Sequence, residues 1–143
     1  MQMVSIEGSA GSSHRITLSN GEVIALEGEV PKSTDLVLAG LAACSTRSLE
    51  MVMRRMRVSC GSVALSISAW RAEEPPQVFT SIEMEWLLKS KEDRPKLLRA
   101  LELAEKHCTV LNILRQSTPI HATLRIEGDR TDGQRSQIAE DLV

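Results

Sequence analysis

At 143 residues, the chain has the length of one domain and can bury a core without disulfide or metal staples. Its net charge of −2 leaves no basic excess to meet phosphates, which argues against nucleic acid as a partner. Aromatic residues make up only 2% of the chain, so the core must be built from aliphatic side chains.

The sequence shows no signal for a membrane or for secretion. It contains no run of about 18 apolar residues. Its start, MQMVSIEGSAG, lacks the charged and apolar regions of a secretory signal. We therefore expect a cytoplasmic protein with no membrane partner. In that compartment Cys44, Cys60 and Cys108 are expected as thiols, and their odd number argues against a structural disulfide framework.

The first part of the chain predicts short strands. Residues 3–6 form one strand candidate. The Asn20-Gly21 pair lies between two runs of β-type residues, which is the strongest short signal for a hairpin. The hairpin is expected from about residue 14 to residue 27.

Residues 33–57 predict one long helix, with Ser33 able to cap its start. The segment Leu36 to Cys44 is apolar or small on every side, which is typical of a helix buried all round. The second half is apolar on one face only. Cys44 lies in the first half among Gly and Ala residues, whose small side chains allow other backbone to approach the thiol.

Two strands and a second helix follow. Residues 62–70 and 78–88 alternate between apolar and polar side chains, which predicts two half-buried antiparallel strands. Residues 93–107 predict a helix that Asp93 can cap. The apolar stripe of this helix, continued by one turn, reaches Cys108 on the core side.

The end of the chain predicts one more strand, at residues 120–126, and then a polar, frayed tail at residues 128–143. The order of elements predicts an α+β fold with an antiparallel sheet wrapped against helices. Residues 1–127 are expected to form a single domain.

No motif for a metal or a nucleotide is found. His107 is next to Cys108, but no second CxxC or HxxxH pattern accompanies the pair, so a zinc site is disfavoured. The glycine-rich patterns that cradle phosphates do not occur either. We predict no cofactor.

The chemistry that the sequence offers is a pair of thiols. A lone Cys on an apolar helix is most often a small core residue, and Cys60 beside Gly61 is interpreted as structural or incidental. Cys44 and Cys108, however, are both expected to face the core. If they meet, one thiolate can attack an O–O bond, become a sulfenic acid and be captured by the second thiol. A free thiol has a pKa of about 8.5, so a cation or dipole must assist it.

Three segments resemble the OsmC/Ohr family of osmotically inducible and organic hydroperoxide resistance proteins. They are PKSTDLVLAGLAACSTRSLEMVM, the strand pair with RAEEPPQVFTSIEMEW, and LRALELAEKHCTVLNILRQSTPI, and the resemblance covers about residues 13–127. It is closest to a small OsmC-like branch whose function is obscure. The resemblance implies an intertwined homodimer that reduces organic hydroperoxides, with Cys44 as the peroxidatic thiol and Cys108 as the resolving one.

The chain departs from the family pattern around the thiols. The peroxidase members carry a Glu that braces an Arg against the thiolate, whereas this chain has Thr34 there and Asp35 one step later. Arg15 is the only nearby arginine before the long helix, and its context does not match the family motif. Arg47 follows Cys44 by about one turn and is a candidate substitute, although its polar-face position also fits a solvated charge. Thr109 replaces the Pro of the family's Cys-Pro-Val segment.

Three hypotheses follow from the sequence. The first is a thiol-dependent hydroperoxide reductase in oxidative-stress defence, which would need a small-molecule hydroperoxide and a thiol reductant. The second is a redox-inactive dimer of the same fold that binds an apolar small molecule. The third is a purely structural pair of buried cysteines. Retention of both cysteines favours the first hypothesis, and Thr34 at the position of the bracing Glu favours the other two.

Overall fold

The computed structural model describes residues 1–127 and the backbone of residues 136–137. The chain divides into two compact units, residues 1–38 and residues 39–143. In chain order the described elements are β1 (Ser5–Gly8), β2 (His14–Thr17), β3 (Val23–Leu26), α1 (Ser33–Met56), β4 (Ser62–Arg71), β5 (Phe79–Lys89), α2 (Arg94–His107), α3 (Thr109–Leu114), β6 (Ile120–Glu127) and β7 (Ser136–Gln137). This mixture of segregated helices and strands is the predicted α+β class.

The first unit contains a three-stranded antiparallel sheet in the order β1-β2-β3. The predicted hairpin is confirmed, because β2 and β3 pair across the Asn-Gly turn. Gly21 has a φ of 89°, a left-handed conformation that favours glycine, and its N–H donates to the Leu18 carbonyl at 2.9 Å. No residue of this unit is fully buried in the single chain.

The predicted long helix is confirmed as α1, but its burial differs from the prediction. Buried residues lie on one face of its later part: Leu41, Ser45, Ser48, Leu49, Val52 and Met53. In the first half Val37 is 41% exposed, and Ala39 and Ala43 are also exposed. The prediction of burial all round this half is therefore wrong for one chain, because the residues of a single chain do not cover that side.

By length and composition, α1 is the one helix in residues 1–127 that is long and apolar enough to cross a membrane. The sequence prediction missed this because it counted uninterrupted apolar runs, whereas α1 mixes Ser and Thr with its apolar residues. One such helix is weak evidence for a membrane span, since the core helix of a soluble protein passes the same test.

The second unit contains a four-stranded sheet in the order β4-β5-β6-β7. The predicted pairing of β4 with β5 is antiparallel, but β5 and β6 are parallel, with Ile82 opposite Ile120. The sheet is thus mixed and not wholly antiparallel as predicted. The physical reason is that α2 and α3 form a helical crossover between β5 and β6, which returns the chain in the same direction.

The inner face of this sheet supplies much of the core. Alternate residues of β5 are buried, as predicted: Ile82, Met84, Trp86 and Leu88. Alternate residues of β6 are buried with them: Ile120, Ala122, Leu124 and Ile126. The facing residues of α2 complete this layer, with Leu97 and Leu101 at most 1% exposed. Packing in this aliphatic core positions the inner faces of β5 and α2, and the residues of the site lie on these faces.

The helix predicted at residues 93–107 is confirmed as α2, although Asp93 caps it through its backbone alone. Its side chain makes no capping hydrogen bond, and its carbonyl accepts from the N–H groups of Lys96 and Leu97 at 3.1 Å each. The helix ends before Cys108, whose backbone is extended (φ −78°, ψ 106°), and α3 begins directly after it. The predicted kink is therefore a full break between two helices.

The predicted polar tail, residues 128–143, lies outside the described residues apart from β7. The backbone of β7 pairs antiparallel with β6, with Gln137 opposite Thr123. A frayed tail and a single domain over residues 1–127 both stay predictions.

Candidate thiol site

The structure brings the two predicted site cysteines together. Cys44 lies on α1 and is half-buried, while Cys108 lies at the α2–α3 junction and is 1% exposed. The two side chains are close enough to shift each other's pKa: Cys108 lowers that of Cys44, and Cys44 raises that of Cys108. Both residues lie in the second unit. The prediction that both thiols face the core thus holds fully for Cys108, even though the helix does not continue through it.

The surroundings of Cys44 favour its thiolate. Burial raises the pKa of Cys44, but hydrogen bonds outweigh that effect and lower it below the ordinary value. The donors are the backbone of Val110, the thiol of Cys108, the backbone of Thr109 and the hydroxyl of Ser48, in decreasing order. The lowered pKa makes Cys44 the more nucleophilic member of the pair at neutral pH.

The surroundings of Cys108 have the opposite effect. Burial raises the pKa of Cys108, and the nearby Cys44 raises it further by charge and by its hydrogen bond. Hydrogen bonds from the Ser45 hydroxyl and the Leu111 backbone lower it only in part. The Ser45 Oγ lies 3.3 Å from the Cys108 Sγ. Cys108 is therefore held as a protonated thiol next to a thiol that ionises more easily.

A buried polar group lies beside Cys108. Glu105, three residues earlier on α2, is 9% exposed, and burial raises the pKa of its carboxyl to about 7. The charge of Arg115 lowers this pKa and that of Glu102 raises it, but burial is the largest cause. Arg115 donates one hydrogen bond to Asn112 Oδ1, while its Nη1 is buried without a hydrogen-bond partner. A carboxyl that titrates near neutral pH is thus placed within one turn of the buried thiol.

Asn112 fixes the break between the two helices. Its side-chain amide donates to the Cys108 carbonyl at 2.7 Å and to the Glu105 carbonyl at 3.0 Å. The Cys108 carbonyl also accepts from the Asn112 backbone N–H at 3.0 Å, and the Glu105 carbonyl, in the last turn of α2, accepts from the Cys108 N–H at 3.4 Å. The same side chain therefore holds the backbone of both Cys108 and Glu105.

A small cavity joins these groups. It has about 10 Å³ for the centre of a water molecule, which is close to the minimum that one water needs. Its lining comes from α1, β5 and the α2–α3 junction: Ser45, Met84, Trp86, Leu101, Ala104, Glu105 and Cys108. The polar side chains that border it are thus one hydroxyl, one carboxyl, one thiol and the indole of Trp86.

Two of the other sequence candidates, Arg47 and Cys60, are not part of this site. Arg47 is exposed and is not among the groups that shift the pKa of Cys44. Arg15 lies exposed on β2 in the first unit. The Cys60 thiol donates to the Ser62 carbonyl at 3.1 Å, which agrees with its structural interpretation. Within residues 1–127, no three His, Cys, Asp or Glu side chains cluster as metal ligands would.

Sequence reasoning missed the groups that act on the thiols. It looked for a cation beside Cys44, whereas the structure provides backbone N–H groups from the start of α3 and the hydroxyl of Ser48. Ser48 follows Cys44 by one helical turn, so its spacing was a usable signal. Glu105 also had a signal, because it follows Leu97 and Leu101 at intervals of four and so puts an acid on the apolar stripe.

The fold and the site define a class of α+β proteins that place one thiol on a long helix and a second at a helix junction. Within it, the chain belongs to the OsmC-like protein family, whose family model matches residues 26–123. The resemblance drawn from the Ala-Ala-Cys and His-Cys-Thr-Val segments is thereby confirmed. In this fold α1 is a core helix and not a membrane span. No curated protein sequence is significantly similar to this chain.

Solved structures share the fold over nearly their whole length. A hypothetical protein from Aquifex aeolicus VF5 is 21% identical, with a TM-score of 0.80 over 89% of this chain and 96% of that one. An OsmC-like protein from Mycoplasma pneumoniae is 17% identical, with a TM-score of 0.78 over 88% and 96%. An organic hydroperoxide resistance protein OsmC from Legionella pneumophila is 15% identical, with a TM-score of 0.70 over 87% and 96%. At these identities the likeness shows the fold, and it confirms the OsmC-like fold class.

Proposed function

We propose that this protein reduces organic hydroperoxides, with Cys44 as the attacking thiolate and Cys108 as the resolving thiol. The observation that carries the proposal is the opposite environment of two thiols in contact. Hydrogen bonds lower the pKa of Cys44, whereas burial raises the pKa of Cys108. A peroxidatic pair needs this asymmetry, because one thiol must attack as a thiolate while the other waits protonated.

Family membership supports the same function. OsmC/Ohr proteins with the fold include several that are described as organic hydroperoxide resistance proteins, which suggests a redox or peroxide-resistance role. The missing Glu–Arg brace does not remove the activation of Cys44, because backbone N–H groups and Ser48 act on the thiolate in its place.

The reaction balances as a two-electron transfer. The Cys44 thiolate attacks the outer oxygen of the hydroperoxide, the O–O bond breaks, and an alcohol leaves after taking one proton. Cys44 is then a sulfenic acid. Cys108 attacks its sulfur, the S–O bond breaks, and water leaves as the disulfide forms. A small or protein thiol, oxidised in turn to its disulfide, must then restore both cysteines.

Mass spectrometry after substoichiometric cumene hydroperoxide tests this proposal. We expect the wild type to lose the mass of two hydrogen atoms as the Cys44–Cys108 disulfide forms. Cys44→Ser should consume no peroxide, and Cys108→Ser should complete one turnover and then over-oxidise at Cys44. Cys60→Ser is the matched control and should behave as the wild type. Equal peroxide consumption by the wild type and Cys44→Ser would overturn the proposal and favour the binding module or the inert thiol pair.

We also infer that the working form is a homodimer in which residues 1–38 of both chains complete a shared sheet. OsmC/Ohr proteins are typically dimers. In the single chain this unit has no fully buried residue, and Ile6, Val23 and Val37 are each more than 40% exposed. Sedimentation at micromolar concentration should show a dimer, and a stable folded monomer would contradict it. A cytoplasmic location, where thiol reductants are abundant, fits the same chemistry.

A further inference from the structure

The buried carboxyl of Glu105 has no assigned role in the two-thiol reaction. It is 9% exposed, and the charge of Arg115 offsets only part of the effect of its burial. A carboxyl buried in this way is costly and is uncommon without a partner. Glu105 lines the same small cavity as Cys108 and Ser45.

The resolving step has a need that these surroundings can meet. Cys108 must lose its proton to attack sulfur, because the thiolate is the nucleophile in such reactions. Its neighbours in the cavity include no Lys, Arg or His. The Ser45 hydroxyl at 3.3 Å can pass a proton on but cannot keep it, since a hydroxyl is a very weak base. Among the residues that line the cavity, Glu105 has the only carboxylate, and it can accept and hold a proton near neutral pH.

We propose that Glu105 accepts the proton of the Cys108 thiol when Cys108 attacks the oxidised Cys44. This rests on the proposed function in that it takes Cys108 as the resolving thiol. Glu105 and Cys108 line one cavity that has room for one water, so the proton passes across a single bridging water.

The step balances in atoms and electrons. The S–H bond of Cys108 breaks, its proton moves to the Glu105 carboxylate, and its sulfur electron pair forms the S–S bond to Cys44. The S–O bond of the sulfenic acid breaks, and the leaving hydroxide takes the proton back from Glu105 and departs as water. Glu105 thus serves as base and then as acid, and it returns to its starting state.

The titration of Glu105 suits this role. Burial raises the pKa of its carboxyl to about 7, so both forms are present near neutral pH. The charged or titratable groups that act on it or share its cavity are Arg115 after α3, Glu102 one turn earlier, and Cys108 itself. From α1 and β5 the cavity receives Ser45, Met84 and Trp86, none of which titrates near neutral pH.

The test separates this step from the reaction with peroxide. A symmetrical aromatic disulfide with a coloured thiolate product is added to the Cys60→Ser protein. The Cys44 thiolate displaces one coloured thiolate and keeps the other half as a mixed disulfide. Cys108 then displaces the second coloured thiolate, and the rate of that second release reports the attack by Cys108.

Glu105→Gln should slow the second release by about a hundredfold at pH 7.5, since a positioned base contributes about that much. The first release, from Cys44, should keep its rate. In the parent protein the second release should rise with pH through about 7, and Glu105→Gln should abolish that rise. Glu105→Asp should restore part of the rate. Glu102→Gln, which removes an exposed carboxylate on the same helix, is the matched control and should stay within about twofold.

Two results would overturn the assignment. If Glu105 acted only through its negative charge, Glu105→Gln would make the Cys108 thiolate easier to form, and the second release would become faster. If Glu105 served only to hold the junction in place, both releases would change together and Glu105→Asp would rescue neither. The wild type could also complete both releases and yet leave organic peroxide unconsumed. That result would overturn the proposed peroxidase function without contradicting the role of Glu105.

Discussion

The turn of α1 that carries Cys44 and the α2–α3 junction that carries Cys108 place the same functional group in opposite surroundings. On α1 the thiol is half-buried, and donors from α1 itself and from residues 108–110 converge on it. At the junction the thiol is 1% exposed, beside a carboxyl and a hydroxyl. The comparison shows that local burial and backbone donors can shift the pKa values of two nearby thiols in opposite directions without a bracing arginine.

Alkylation should show the largest difference between these two regions. In the Cys60→Ser protein at neutral pH, iodoacetamide should modify Cys44 at least about a hundredfold faster than Cys108. The buried thiol reacts only after a local opening, and an opening that costs about 3 kcal/mol has this effect. Peptide mapping over time measures both rates. Similar alkylation rates for the two cysteines would contradict the difference in thiol reactivity on which their proposed roles depend.

Glu105→Gln should stabilise the protein at high pH. In the wild type the pKa of the Glu105 carboxyl is about 7 in the folded chain and 4.5 in the unfolded chain, so folding favours the protonated carboxyl. Below pH 4.5 the carboxyl is protonated in both the folded and the unfolded chain, so it does not change the stability. As the pH rises from about 4.5 to about 7, the unfolded chain gives up this proton more readily, and the folded protein loses stability. Above that range the loss amounts to about 3 kcal/mol.

Urea unfolding at pH 5 and pH 8 measures this effect. Glu105→Gln should remove most of the pH dependence, whereas Glu102→Gln, at an exposed position, should leave it almost unchanged. The opposite result would be a wild type that is more stable at pH 8 than at pH 5 and a Glu105→Gln variant in which that gain is smaller. It would contradict the predicted direction of the pH effect.

Asn112→Ala should loosen the junction without touching either thiol. The substitution leaves the carbonyls of Cys108 and Glu105 without their side-chain donor, at a cost of about 2 kcal/mol. We expect amide hydrogen exchange to accelerate around residues 105–109 and Cys108 to become easier to alkylate, while Cys44 becomes less reactive because its donors at Cys108, Thr109 and Val110 loosen. Faster exchange on α1 as well would mean that the two regions open together.

Ser48→Ala should give the smallest change. Ser48 donates to Cys44, so its removal should raise the pKa of that thiol, with a change in stability within about 1 kcal/mol. Thiolate absorbance against pH in a variant that retains only Cys44 measures the shift. Arg47→Ala is the control, since Arg47 is exposed and should leave the pKa of Cys44 where it is.

Much of the fold could be predicted because it depends on local patterns. The Asn20-Gly21 hairpin, the length of α1 and the alternation on β5 each follow from neighbouring residues in the chain. The parallel pairing of β5 with β6 did not follow, because alternation on a strand carries no information about the direction of its neighbour. Exposure of the first half of α1 was missed for a related reason, since composition shows which surfaces are apolar but not which chain covers them.

The candidate site was half predictable. The core-facing stripes placed Cys44 and Cys108 in the same interior, and the structure brings the thiols into contact. The groups that tune them were not predictable in the same way, because the donors to Cys44 include backbone N–H groups, which every residue has. Glu105 was visible as an acid on an apolar stripe, but only the packing of α1, α2 and β5 shows which cavity it borders.

The parallel pairing of β5 with β6 also bears on when the site forms during folding. α2, Cys108 and α3 all lie in the crossover between these two strands, so their position is fixed only when β6 has paired beside β5. Pairing across so long a segment is slow compared with the formation of a helix or a hairpin. In refolding experiments the contact between the two thiols should therefore appear in the slowest phase. Until then Cys44 and Cys108 are expected to be independent cysteines, so a newly synthesised chain should bring the two thiols together only at the end of folding.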